Sequence, residues 1–285
     1  MNKMIDSTPQ LREPPEMRKT EEIRIIEIAK IVEETKDIKT LIFNYPLKSL
    51  PGQFIEIWIP GTDEKPYSIS YQDNERFGVT VFTLGPFSKK LNSLKAGDKV
   101  GIRGPYGRPF TVKRCNAVLV GGGCGSAPLA FLANELKKAG AKVDFITGAR
   151  TKDLLLFEDR MKTAGINYYP CTNDGSHGVQ GFTTDLLNKI LSAAQNIDKV
   201  YTCGPEVMMK KVLDFCEQHS IECEISMERF MKCGFGICGQ CCLDNTGQRV
   251  CADGPVMTND EVKKTFEFGK YARAKSGKKK AFNQQ

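Results

Sequence analysis

The 285-residue sequence is as informative for what it lacks as for what it holds. Met1 to Glu22 is polar and proline-containing, with no apolar core of the kind a signal peptide carries, so export has no support and a cytoplasmic protein is expected. There is no internal repeat. Net charge is nearly missing from most of the chain: the first 260 residues carry 33 basic and 32 acidic side chains. The remaining +6 of the formal +7 lies in Glu261 to Gln285, where Lys263, Lys264, Lys270, Arg273, Lys275, Lys278, Lys279 and Lys280 face only Glu261 and Glu267. That distribution reads as a solvated basic tail, 261–285, and not as a nucleic-acid footprint. One run, Cys115 to Asn134, is long and uncharged enough to suggest a membrane span, but Gly121, Gly122, Gly123, Gly125 and Pro128 interrupt it. A buried strand, a glycine turn and a helix account for it, and no membrane span is expected. With 40% hydrophobic and 26% charged residues the composition is that of a globular protein, which excludes disorder, collagen and a small disulfide-stapled scaffold.

Residues 1–20 read as a flexible leader. From 21 to 113 short β-like runs alternate with breakers at Pro51-Gly52, Pro60-Gly61, Asp73-Asn74, Gly85-Pro86, Gly97-Asp98 and Gly104-Pro105. Ile55, Ile57 and Ile59 alternate with Phe54, Glu56 and Trp58, the period of two of a strand with distinct faces. Five or six such strands without a long helix predict an antiparallel barrel or sandwich. The texture changes at Asn116. Strand-like and helix-like segments alternate through 114–224, with Leu129, Leu132, Ala133 and Leu136 at the spacing of one helix face. That alternation predicts a parallel sheet covered by helices. Residues 225–260 are rich in glycine and cysteine and too few for a core of their own, which suggests folding around a metal centre.

Eight of the eleven cysteines lie between Cys203 and Cys251. In a reducing compartment such clustering points to metal ligands or redox groups before disulfides. Cys233, Cys238 and Cys241 stand in C-x4-C-x2-C spacing with Cys251 following, an arrangement suited to four thiolates around a [2Fe–2S] cluster. Gly234, Gly236 and Gly239 would let the backbone wrap closely. The paired C-x2-C knuckles of a zinc site are absent. Cys242 is surplus, with the x2 spacing favouring Cys241. A second motif, Gly121-Gly-Gly-Cys-Gly-Ser126, lies between a strand and a helix, where glycines and a helix N-terminus receive a pyrophosphate. Ser126 replaces the third glycine of the usual fingerprint, and no acidic ribose partner is evident. Cys203-Gly204-Pro205 falls at the C-terminal edge of the expected sheet, where ligands of such sheets bind. Lys65-Pro66-Tyr67-Ser68 offers a cation, an aromatic face and a hydroxyl.

Taken in order, these motifs make the sequence resemble the ferredoxin reductase family. The segments Met227 to Cys241 and Cys251 to Val256, with Phe268-Gly269-Lys270-Tyr271, narrow the resemblance to electron transfer subunits of dihydroorotate dehydrogenase B, archaeal forms especially. The resemblance implies a β-barrel flavin domain, a Rossmann-like nucleotide domain and a small iron–sulfur segment. It implies FAD on Lys65, Pro66, Tyr67, Ser68, Phe87 and Ser88, with Lys65 where the family usually has arginine. It also implies NAD at Gly121, Gly123, Cys203, Gly204 and Pro205, and a [2Fe–2S] cluster on Cys233, Cys238, Cys241 and Cys251. A partner chain with FMN would oxidise dihydroorotate, in a heterotetramer serving pyrimidine biosynthesis, and no general acid or base of this chain is expected to be essential. NADP remains open because Arg150 could meet a 2′-phosphate. Two alternatives stand beside this reading: a diaphorase subunit of a sulfhydrogenase or NADPH–ferredoxin oxidoreductase, and a zinc-bearing nucleic-acid-binding module.

Overall fold

The computed structural model describes residues 22–193 and 196–282. The leader expected at 1–20 lies outside them. Six antiparallel strands close a barrel: β1 (Arg24–Thr35), β2 (Ile38–Phe43), β3 (Phe54–Ile59), β4 (Asp63–Gln72), β5 (Phe77–Phe82) and β6 (Lys99–Tyr106), in the order β1-β2-β5-β4-β3-β6. The alternation in β3 sends Ile55, Ile57 and Ile59 inward against Leu41, Phe43, Ile69, Val79 and Ile102, a core the barrel builds almost entirely from its own strands. One short helix, α1 (Pro86–Asn92), follows β5 and drops Phe87 and Leu91 into that core.

The second sheet has the order β10-β9-β8-β7-β11-β12-β13. Its strands are β7 (Asn116–Gly122), β8 (Lys142–Ala149), β9 (Asn167–Thr172), β10 (Val179–Gln180), β11 (Lys199–Cys203), β12 (Glu222–Ser226) and β13 (Val256–Thr258). All pairings are parallel except β12 with β13. Helices α2 (Ser126–Lys138), α3 (Glu158–Thr163), α4 (Thr183–Ala193) and α5 (Glu206–Gln218) make the crossovers. The charge-free run from Cys115 to Asn134 is explained by double burial. Leu129, Leu132, Ala133 and Leu136 pack on the sheet, while Phe131 on the opposite side of α2 enters the barrel core. A helix held between two layers has no solvated stripe on which to place charge.

Beyond β12 the chain is irregular up to α6 (Val250–Asp253), β13 and α7 (Asn259–Lys263). Its apolar side chains, Met227, Met231, Leu243, Val250, Met257 and Phe268, join the core beneath α4 and α5 and form none of their own. Thr258 caps α7 by a reciprocal box with Glu261, which also pairs with Arg108 after the barrel. The basic stretch after residue 260 corrects the expectation of a solvated tail. Phe268 is buried, Glu267 is 1% exposed, and β14 (Tyr271–Arg273) pairs with β15 (Lys279–Ala281) as a hairpin held by Asp244. A count of charges cannot see these anchors, because each depends on one side chain distant in sequence.

Candidate functional site

The strand β4 carries Lys65, Pro66, Tyr67 and Ser68 opposite Ile57, Glu56, Ile55 and Phe54 of β3. The α1 turn brings Phe87 to the same place: its ring centroid is 6.3 Å from that of Tyr67 and 5.9 Å from Lys65 Nζ. Lys65 is ion-paired with Asp63. Ser88 Oγ accepts the N–H groups of Leu84 (2.8 Å) and Gly85 (2.9 Å), so the hydroxyl is already used to shape the turn. Of the six residues expected around a flavin, Lys65, Tyr67 and Phe87 thus meet at one corner of the barrel, while Pro66 and Ser68 alternate to the other face of β4 with Glu56 and Phe54 and Ser88 is held within its own turn. Helix α2 packs across β4 there, and Arg160 at the start of α3 donates to Ser70 O (2.6 Å).

On the second sheet, Gly121 at the end of β7 is the register partner of Cys203 at the end of β11. The two ends touch backbone to backbone. A Cβ on Gly125 would sit 2.1 Å from Cys203 O, and one on Gly204, whose φ is +148°, would sit 2.8 Å from Gly122 O. Gly123 takes φ +53° with open space before it at the C-terminal edge of the sheet, while Gly125, at the end of the same 3-10 turn, is buried against Cys203. Burial pushes the Cys203 thiol well up, so it stays protonated. Sequence reasoning missed Glu228 as a site residue although it quoted the motif that contains it. Its side chain is exposed, and its carboxylate lies at this edge 4.0 Å from Cys124 Sγ. Arg150 and Asp174 meet at the far side of the edge, where Asp174 N donates to Arg150 O (3.3 Å).

The four nominated cysteines fall into two pairs. In the first, burial pushes the Cys233 thiol up, but the N–H groups of Cys238, Phe235 and Ile237 outweigh it, together with the Cys238 thiol, and hold it down to about 6. In the second, the Cys251 thiol and N–H both point at Cys241 (N to Sγ 3.4 Å), and Cys241 is held to about 7 with burial opposing. Cys242, in contrast, is pushed up, first by burial. Among the described residues no three His, Cys, Asp or Glu side chains gather as a site for a metal ion. Two thiol pairs with convergent backbone donors suit a two-iron cluster, which takes two thiolates per iron and gains from N–H groups aimed at sulfur. Gly234, Gly236 and Gly239 all adopt left-handed backbone, at φ +83°, +87° and +69°. The wrapping read from the sequence is therefore present.

The loop rests on the barrel. Arg103 donates to Cys233 O (2.7 Å), pairs with Glu64, and lies 5.3 Å and 5.7 Å from the rings of Phe235 and Tyr106. A Cβ on Gly234 would come 3.0 Å from Glu56 Oε1. Glu56 is 1% exposed, and neither of its carboxylate oxygens has a hydrogen-bond partner. Desolvation, with Glu64 adding and Arg103 and Lys65 opposing, raises it to about 8.

Comparison with known proteins agrees with this arrangement. Residues 228–263 match the iron–sulfur cluster binding domain of dihydroorotate dehydrogenase B, and residues 119–214 match the oxidoreductase NAD-binding domain. A probable dihydroorotate dehydrogenase B (NAD(+)), electron transfer subunit, of Methanocaldococcus jannaschii is 44% identical over 246 residues, 86% of this chain and 93% of that protein. The chain belongs to the family of dihydroorotate dehydrogenase B electron transfer subunits. A second member, from Methanothermobacter thermautotrophicus, is also 44% identical and covers 86% of this chain and 92% of its own length. Among solved structures, that of an NADH-dependent reduced ferredoxin–NADP oxidoreductase, described for flavin-based electron bifurcation, superposes with a TM-score of 0.76 at 29% identity, over 83% of this chain and 88% of the other. Membership makes this chain an oxidoreductase subunit with an iron–sulfur segment and an NAD-binding domain. Among its described residues no helix is long and apolar enough to cross a membrane.

Proposed function

We propose that the chain carries electrons between NAD and an FMN-containing dihydroorotate dehydrogenase catalytic subunit, as half of a cytoplasmic heterotetramer in pyrimidine biosynthesis. The observation that carries this reading is the seating of the cluster loop on the barrel. Gly234 packs on Glu56, and Glu56 is the register partner of Pro66 within the flavin segment. The cluster loop is thereby seated against the strand pair that carries the flavin segment.

FAD is assigned to Lys65, Pro66, Tyr67, Ser68, Phe87 and Ser88, NAD to Gly121, Gly123, Cys203, Gly204 and Pro205, and the [2Fe–2S] cluster to Cys233, Cys238, Cys241 and Cys251. When bound, this set exchanges the two electrons of a hydride for single electrons. The protein's own residues hold and shield the groups. Lys65 offers a point charge to a pyrophosphate. Gly123 and Gly204 let the backbone come close to a dinucleotide, and the Cys203 thiol keeps its proton. Phe54, Tyr106 and Phe235, with centroids 5.9 Å and 6.1 Å apart in succession, line the contact between barrel and loop and exclude water from it.

The test is to purify the protein without oxygen, measure iron, sulfide and flavin, and mix it with the catalytic subunit. Two irons and one FAD per chain are expected, with dihydroorotate-dependent NAD reduction only in the mixture. A colourless zinc protein, or coupling to a hydrogenase-like or glutamate-synthase-like chain instead, would overturn the reading. The likeness to the ferredoxin–NADP oxidoreductase makes that second outcome the one to look for.

A further inference from the structure

The C-terminal hairpin is not used by any of the three sites, and it lies beyond the residues matched by the iron–sulfur family profile, which end at 263. It is nevertheless built onto the cluster segment. Asp244, three residues past Cys241, accepts from Tyr271 Oη (2.7 Å) and from Arg273 Nε (3.0 Å) and Nη2 (3.0 Å), and pairs with Lys279 at 3.4 Å. Phe282 N closes the base on Lys270 O (3.0 Å). These contacts consume two of the cations. Lys270, Lys275, Lys278 and Lys280 are exposed, and no ion pair engages them among the described residues.

The positive charge of Lys275, in the turn of the hairpin, is felt at Asp63 on the barrel. Asp63 is held below the usual carboxylate range first by Lys65 and also by Lys275. The next residue, Glu64, binds Arg103, which in turn holds Cys233 O. The same loop presents Ile237, 77% exposed, and the exposed Cys238. The exposed edge of the cluster loop and four exposed lysines outside any ion pair among the described residues thus belong to chain segments that Asp244, three residues past Cys241, ties together. The first 260 residues carry a net charge of only +1, so this hairpin is where the molecule's field is concentrated.

We propose that the hairpin is an electrostatic docking element that recognises an acidic face of the redox partner and steers it onto the exposed edge of the cluster loop. The inference rests on the functional reading above for the existence of that partner. Charged patches beside an interface act mainly on the association rate, raising it by orders of magnitude at low ionic strength. Salt screens the effect over about 8–10 Å. Anchoring by Asp244 suits this role, because a preordered hairpin loses little freedom on docking.

The experiment uses the full-length, cofactor-loaded protein and the FMN-containing catalytic subunit. Association is followed by stopped flow over a series of salt concentrations for the wild type, for K270Q/K275Q/K278Q/K280Q, and for the corresponding four-arginine variant. The wild-type rate is expected to fall steeply with salt. The glutamine variant associates at least ten-fold more slowly at low salt, with an almost flat salt response, while its NADH–ferricyanide activity without partner is unchanged. The arginine variant keeps the wild-type rate. A glutamine variant with wild-type rate and salt slope overturns the proposal. So does unchanged partner association combined with lost binding to a duplex oligonucleotide, which would assign the hairpin to nucleic acid. If the wild type does not couple to the subunit at all, the functional reading fails and takes this inference with it. If coupling is intact and only the lysines prove indifferent, the inference fails alone.

Discussion

The barrel and the cluster segment solve the problem of stability in opposite ways. The barrel closes its sheet on itself and fills the interior with Ile55, Ile57, Phe43, Phe77 and their neighbours, so its core needs only Phe131 from outside. The cluster segment has few regular elements. It is held by apolar side chains lent to the α5 and β12 face, by buried charge pairs, and by whatever its thiols bind. The lesson is that a scaffold for a redox centre can be poor in structure if its edges are fixed by a neighbour. Such a segment should respond to loss of its metal while the barrel does not.

The largest expected effect follows from Cys238→Ser. Iron should be lost, flavin should remain at one per chain, and hydrogen exchange should rise across 227–258 with the strands of the barrel unchanged. Faster exchange in β2 or β5 would show that the two regions are not independent. Next comes Arg229→Met. Arg229 is 3% exposed, pairs with Glu206, and donates from Nε to Glu267 (2.7 Å), both of which are buried. Leaving two carboxylates uncompensated should cost about 3–5 kcal/mol in denaturant unfolding, with exchange rising in α5 and the cluster segment. A loss within the error of the measurement would mean that apolar packing alone holds the segment.

A third effect, switched by pH, lies at the contact between the regions. Glu56, raised to about 8, keeps a proton in the folded state that the unfolded chain releases near the ordinary 4.5. The folded form binds more protons across that window, so Glu56 makes stability fall as pH rises from 4.5 to about 8 and level off above it. The slope from one such group is at most about 1.4 kcal/mol per pH unit. Glu56→Met should remove it and raise stability at pH 8. An unchanged pH profile would show that the carboxyl finds a partner in solution.

Much of this was readable from residues alone, for identifiable reasons. Strands announce themselves by alternation and breakers, and the glycine turn by its place between an apolar run and a helical face. The four cysteines proposed as ligands stood out because wrapping a cluster demands both a spacing and glycines able to adopt positive φ, and Gly234, Gly236 and Gly239 do so. Glu56 was not legible. Alternation in β3 puts it opposite the isoleucines, where a charged side chain would ordinarily meet water. Only the arrival of Gly234, far along the chain, buries it. The same holds for residues 261–282, whose composition indicates solvent while Asp244, Arg229 and Glu206 hold Arg273, Glu267 and Gly269 in place. Glu228 lay inside a quoted motif, yet only the sheet edge shows that it faces Cys124.

The antiparallel pairing of β13 with β12 has a consequence for how such a protein could arise. Ser226 is the register partner of Val256, and Met227 N donates to Pro255 O (2.9 Å), so the whole iron–sulfur excursion leaves and re-enters at a single rung of one sheet edge. Its two ends are held about one strand spacing apart, near 4.8 Å, whatever lies between them. An excursion with such ends can be lengthened, shortened or exchanged without disturbing the register of the strands that launch it. The redox centre is in that sense a graft on the rim of a nucleotide-binding sheet, its chain leaving and returning at a single rung.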